Sequence, residues 1–174
     1  MNKEEKSDTF YIAFLPSTSQ NLDEVLNKIK SIKFEDVFLQ LIDPKLIVSE
    51  RQIQVAVYHA QKVFNQEKNI ARDVTTELLL RISGERQISK ALETHGINEK
   101  STYWLLIVFG GDNTRNEHVA KNFLKEIGVT KEQIKEINFP LLSIEELSII
   151  HHCKEDLEEI EKRVLEIMAA VTIL

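Results

Sequence analysis

The run Tyr103 to Phe109 (YWLLIVF) carries no charge, and Gly110-Gly111 closes it. A strand with one wet face alternates apolar and polar residues, whereas an uninterrupted apolar strand has to be covered on both faces. The stretch therefore predicts a central strand with further strands beside it and helices around it. Glycine and proline are scarce, 5 and 3 in 174 residues, which favours regular elements over long loops.

The rest of the chain supplies those elements. Phe10 to Leu15 is rich in aromatic and β-branched residues and ends at Pro16, a strand pattern. Asn21 and Glu24 form a capping-box pair ahead of the helical stripe Leu22, Val25, Leu26 and Ile29. Val37 to Ile42 is a second strand, closed by Asp43-Pro44. Ser49 with Gln52 caps a helix whose face is Ile53, Ala56, Val57, Ala60 and Phe64. Beyond the central strand, Thr114 with Glu117 predicts a helix carrying Val119, Phe123, Leu124 and Ile127. An edge strand is expected near Ile137 to Phe139, then a short helix capped by Ser143 and Glu146 through Ile150, and a last helix over 154–172. The fold expected is α+β: one domain over 1–174, with a small three- to four-stranded mixed sheet packed with several helices and a loose tail at 1–8.

Lys68 to Ile97 reads as two short helices joined at Ser83-Gly84. Val74, Leu78 and Ile82 give the first an inner stripe, with Asp73 as N-cap and Gly84 as its stop. Ile88, Ala91 and Leu92 form the expected inner face of the second, which Gly96 ends. Between 68 and 90 lie the basic residues Lys68, Arg72, Arg81, Arg86 and Lys90 against Asp73, Glu77 and Glu85, a local net of +2. The chain as a whole carries -6, so the remainder sums to -8. That overall charge opposes general nucleic-acid coating, which relies on phosphate neutralisation, but it permits one small basic site.

The pattern N-I-A-R-D-x-x-x-E-L-L-x-R-x-S-G-x-R-Q-I-x-x-A-L-x-x-x-G-I resembles the signature of the small kinase-binding subunit of the KEOPS (EKC) complex, the PRPK-binding protein family. Asn69, Ile70, Glu77, Leu78, Leu79, Arg81, Ser83, Gly84, Arg86, Gln87, Ile88, Ala91 and Gly96 carry the likeness. It is specific over roughly 45–110; the N-terminal 45 residues and 111–152 match in element order only. The resemblance implies a non-catalytic subunit of a complex that makes threonylcarbamoyladenosine in tRNA. Such a subunit docks onto a small atypical kinase-like ATPase and takes part in recognising the tRNA 3′ end.

For the RNA role, the residues carried over are Arg81, Gly84, Arg86 and Gln87, with Lys68 and Arg72 as basic neighbours. Arginines beside a glycine bend can grip phosphate or stack on unpaired bases, and a glutamine can bond base edges. The bland alternative is surface salt bridging of Arg81 to Glu77 or Glu85. For the docking role, Leu157, Ile160, Val164, Ile167, Val171 and Leu174 are spaced as a two-stripe seam, which Met168 widens. That seam serves as a core face, a partner face, or both, with Ile160 and Val164 inward and Ile167 to Leu174 shared.

No catalytic constellation accompanies these features. His151-His152-Cys153 lacks the spacing of a zinc site and reads as a polar helix end. Gly110-Gly111 lacks the lysine of a P-loop and the third glycine of a dinucleotide fingerprint, so a tight turn is expected. No cofactor or metal is expected. The rival readings are a small-molecule or nucleotide-binding enzyme domain built on the Gly110-Gly111 turn, and a protein scaffold without RNA binding. The single cysteine, Cys153, fits a reducing compartment, and MNKEEKSD lacks the apolar run of a signal peptide, so the expected location is the cytoplasm, away from membranes.

Overall fold

The computed structural model describes residues 9–17, 21–32 and 34–171. The fold is α+β. Its contacts divide the chain into two compact units, Met1–Leu41 with Asn98–Glu136, and Ile42–Ile97 with Ile137–Leu174. Each is therefore assembled from two separate stretches of chain.

The first unit holds the sheet. Strand β3 (Tyr103–Phe109) lies in the middle, in the order β1-β3-β2, and every residue from Trp104 to Phe109 is buried. The unbroken apolar run is a strand covered on both faces. Strand β1 (Phe10–Pro16) pairs with it antiparallel, Phe10 opposite Phe109 and Pro16 opposite Tyr103. Strand β2 (Phe38–Ile42) flanks the other side, and its last residue falls to the second unit. The Phe38 ring sits 5.6 Å from that of Phe109, so the start of β2 meets the end of β3. The sheet is thus antiparallel, with three strands, where mixed directions were expected. Gly110 turns the chain at φ 103°, and a Cβ there would lie 2.3 Å from the Asp36 carbonyl oxygen.

Helix α1 (Leu22–Ser31) buries Val25, and helix α5 (Asn113–Glu126) packs Val119, Ala120, Phe123 and Leu124 into the sheet unit. Asp112, not Thr114, caps α5 by accepting the Arg115 N–H at 2.8 Å. The edge strand expected at Ile137 to Phe139 is absent. One isolated bridge stands just ahead of it, where the Lys135 N–H donates to the Phe14 carbonyl at 3.0 Å. Pro140 has no N–H to continue a ladder.

The second unit is helical. Helix α2 (Glu50–Asn65) starts at Ser49, whose hydroxyl accepts the Gln52 N–H. The Gln52 side chain is itself buried: its oxygen accepts the Val48 N–H at 2.9 Å and its nitrogen donates to the Ile82 carbonyl at 3.1 Å. That second bond ties α2 to helix α3 (Val74–Ser83), which also packs against α4 (Ile88–His95) and α7 (Leu157–Ala170). Seven of the ten α3 residues are buried, including Glu77 and Arg81, so α3 is the core of this unit. Helix α6 (Ile144–His151) begins with the expected Ser143–Glu146 capping box. It ends with His152 in the left-handed region, so the His-His-Cys run is a helix terminus.

Two helical expectations need correction. On α4, Ala91 and His95 face inward, while Ile88 and Leu92 are 45% and 51% exposed. A helix of two turns shows too little periodicity to fix which edge of an apolar stripe is covered. Helix α7 starts at Leu157, not at 154, because Asp156 caps it by accepting the Glu159 N–H.

Candidate functional site

The signature segment is built around a buried carboxylate. Glu77 is fully inaccessible, yet all its bonding capacity is used. Its Oε2 accepts the N–H groups of Ile70 and Ala71, each at 2.7 Å. Its Oε1 accepts from Arg81 Nε at 2.8 Å and from Arg81 Nη2. The pair sits one helical turn apart on α3, the spacing at which side chains meet. Arg81 is 2% exposed, so this is an internal ion pair and not a surface one. Its positive charge reaches α2, where the His59 pKa is lowered first by burial and then by Arg81.

That frame holds the loop ahead of α3. Asn69 adds a side-chain bond to the Ala71 carbonyl at 2.8 Å, and Asp73 caps α3 through the Thr76 N–H and the hydroxyls of Thr75 and Thr76. With its backbone pinned on Glu77, the loop leaves Lys68 and Arg72 exposed and Ile70 42% exposed.

At the other end of α3, Gly84 adopts φ 69° as the helix cap. A Cβ there would meet Ile167 Cγ2 at 2.5 Å, so glycine also lets α7 approach closely. The bend does not offer its amides to a ligand. Gly84 N–H donates to the Arg81 carbonyl and Glu85 N–H to the Leu80 carbonyl, at 3.3 and 3.2 Å. Arg86 and Gln87 follow, both exposed, and Gln87 starts α4 without a side-chain capping bond. Among the described residues, the side chains of Lys68, Arg72, Arg86 and Gln87 have no hydrogen-bond or ionic partner.

The six residues expected at the RNA site therefore divide. Arg81 and Gly84 are spent on the protein itself, and Lys68, Arg72, Arg86 and Gln87 are available. The available ones form two clusters separated by α3, whose ten residues span about 15 Å.

The expected docking seam on α7 is mostly internal. Ile160, Val164, Met168 and Val171 are buried, Ile167 is half-buried against Gly84, and Leu174 lies outside the described residues. Apolar side chains left exposed stand elsewhere: Ile88 and Leu92 on α4, Ile144, Ile149 and Ile150 on α6. The sequence pattern places Ile88 and Leu92 inward and leaves Ile149 and Ile150 unassigned at the end of a two-turn helix.

The Gly110-Gly111 turn is similarly closed. Asn116, buried on α5, accepts the Gly111 N–H at 3.0 Å and donates to the Gly111 and Thr9 carbonyls. This occupies the amide that a phosphate loop would present. No described helix is long and apolar enough to cross a membrane.

The family model for kinase binding protein CGI-121 matches residues 17–172. The chain belongs to the CGI-121 family. A search of curated proteins finds no match. The family is one of kinase-binding proteins, and it matches the KEOPS subunit family that the segment around Asn69, Glu77, Arg81 and Gly84 resembles. In this CGI-121 chain the signature serves largely as architecture: it pins a loop, closes a buried ion pair and admits α7.

Proposed function

We propose that this chain is the non-catalytic subunit of a KEOPS-type complex that makes threonylcarbamoyladenosine in tRNA, docking onto the small kinase-like ATPase and contacting the tRNA 3′ end. The match to a kinase-binding family over 17–172 carries the docking half. The unpartnered cations Arg86, Lys68 and Arg72, with Gln87, support the RNA half, since they stand ready on a rigid frame. Arg81 and Gly84 act as positioning residues. Ile160, Val164, Met168 and Val171 set the α7 face from within, and Ile167 and Leu174 are the seam residues assigned to the ATPase contact.

Purified chain mixed with the cognate ATPase should elute with it as one species in size-exclusion chromatography. The mixture should retain tRNA better than either protein alone. A chain that never co-elutes with the ATPase would refute the docking half. Co-elution without any gain in tRNA retention would leave a protein scaffold and refute the RNA half.

A further inference from the structure

We propose that a groove in the helical unit, away from the Glu77 frame and the α7 C-terminal seam, takes a short extended segment of a partner protein in which basic residues alternate with apolar ones. The groove has a volume of about 670 Å³ and is lined by the 48–50 stretch, the 137–139 stretch and the first turn of α7. This lies within the usual range of about 300–1,000 Å³ for binding clefts.

Its lining is of two kinds. Ile137, Phe139 and Leu157 are apolar and partly exposed, Val48 beside them is buried, and Leu157 is 38% exposed at the start of a helix whose next inward residue, Ile160, is fully buried. Glu50, Asp156, Glu158 and Glu161 are acidic. Among the described residues one cation is paired with any of them, Arg51 at 4.0 Å from Glu161, a long contact of little strength whose guanidinium side is largely exposed. Glu50 and Glu158 have no partner among the described residues. Carboxylates in the first turns of α2 and α7 do favour those helices, which explains their presence but not an open apolar cleft beside them.

The occupant follows from that combination. Alternating side chains of an extended strand point to opposite sides, so apolar ones can enter the cleft while basic ones reach the carboxylates. Electrostatic complementarity of this kind steers association and weakens as salt rises. The inference goes beyond ATPase docking and tRNA contact, because its carboxylates are assigned to neither, and Leu157, the first position of the α7 seam, stands at the opposite end of that helix from Ile167.

The test uses the full chain and a fluorescein-labelled peptide alternating Arg or Lys with Leu, about nine residues long and spanning roughly 30 Å when extended. Fluorescence anisotropy should show binding that weakens with added salt. Glu50→Gln combined with Glu158→Gln should weaken it by about tenfold. Leu157→Ser should weaken it as well, while Glu117→Gln on α5 should not. Melting temperatures should fall by no more than a few degrees for these variants, since first-turn carboxylates contribute modestly to their helices, and co-elution with the ATPase should be unchanged for the carboxylate variants. Equal binding of a peptide with Ser in place of Leu would reduce the effect to bulk charge and overturn the proposal. Unchanged affinity in the Glu50/Glu158 variant would do the same. If that variant instead abolishes ATPase co-elution, the groove is part of the ATPase interface and not a separate one. If sedimentation shows self-association that the variant removes, the occupant is a second copy of this chain.

Discussion

Arg81 and Arg86 stand on either side of Gly84, and both belong to the same signature, yet their surroundings are opposite. Arg81 is 2% exposed and bonded to a fully buried Glu77. Arg86 is exposed and has no partner among the described residues. The difference arises from one turn of chain: Arg81 lies on α3, covered by α2, α4 and α7, and Arg86 lies past the glycine that ends α3. A signature can thus record two demands at once, one for a frame and one for what the frame presents.

The comparison breaks most visibly at the frame. Arg81→Ala leaves the Glu77 carboxylate buried without its cation, which should cost about 3–5 kcal/mol of stability. Urea denaturation would show it as a fall in midpoint; a loss under about 1 kcal/mol would mean the pair is not the internal support described.

Below that in size comes His95, the buried face of α4. Neither ring nitrogen has a hydrogen-bond partner among the described residues, and burial pushes its pKa down to about 4, against opposing attraction from Asp43 and added repulsion from His151. The unfolded chain takes up this proton first, near the ordinary value of 6.5. Stability should therefore be complete above that pH and fall as pH drops toward about 4, by roughly 3 kcal/mol in all. His59 and His151 are also lowered, so they add loss of the same sign. His95→Phe should make the acid limb shallower, and an unchanged pH profile would place the histidine in a wetter site.

Gly84→Ala tests the boundary between the two arginines. The left-handed backbone alone should cost about 1–2 kcal/mol, and the new methyl must also displace Ile167. Retention of the wild-type melting temperature would mean α7 does not pack as described.

Much of this frame was readable before the structure, and the reason is locality. Asp73 and Gly84 at the ends of α3, Ser49 ahead of α2 and the Ser143–Glu146 box each depend on a few neighbouring residues, so each was found where expected. The strand from Tyr103 to Phe109 announced itself by lacking any polar alternation. Depth was not readable. The Glu77–Arg81 spacing predicts a pair on any helix, but only the packing of three other helices around α3 makes that pair internal. For the same reason Ile88 and Leu92 are expected inward, and the α7 seam, expected to turn from core to shared face after Val164, stays buried through Met168 and Val171. The bond of Asn116 to the Thr9 carbonyl spans 107 residues and left no local trace.

The smallest effect on stability should come from Arg86, and the central claim rests on it. Arg86→Ala should change stability by no more than about 0.5 kcal/mol, since nothing in the fold depends on the guanidinium. Its effect should appear in binding of tRNA carrying its unpaired 3′ nucleotides, measured over a range of salt. A phosphate contact predicts that the slope of log affinity against log salt falls by about 0.7, and stacking on a base predicts a loss of roughly 1–3 kcal/mol with little change in slope. In either case, trimming the unpaired nucleotides should erase the difference between wild type and variant. Intact tRNA bound equally tightly by both would contradict the assignment of Arg86 to the RNA surface, and equal losses on intact and trimmed tRNA would contradict its assignment to the 3′ end.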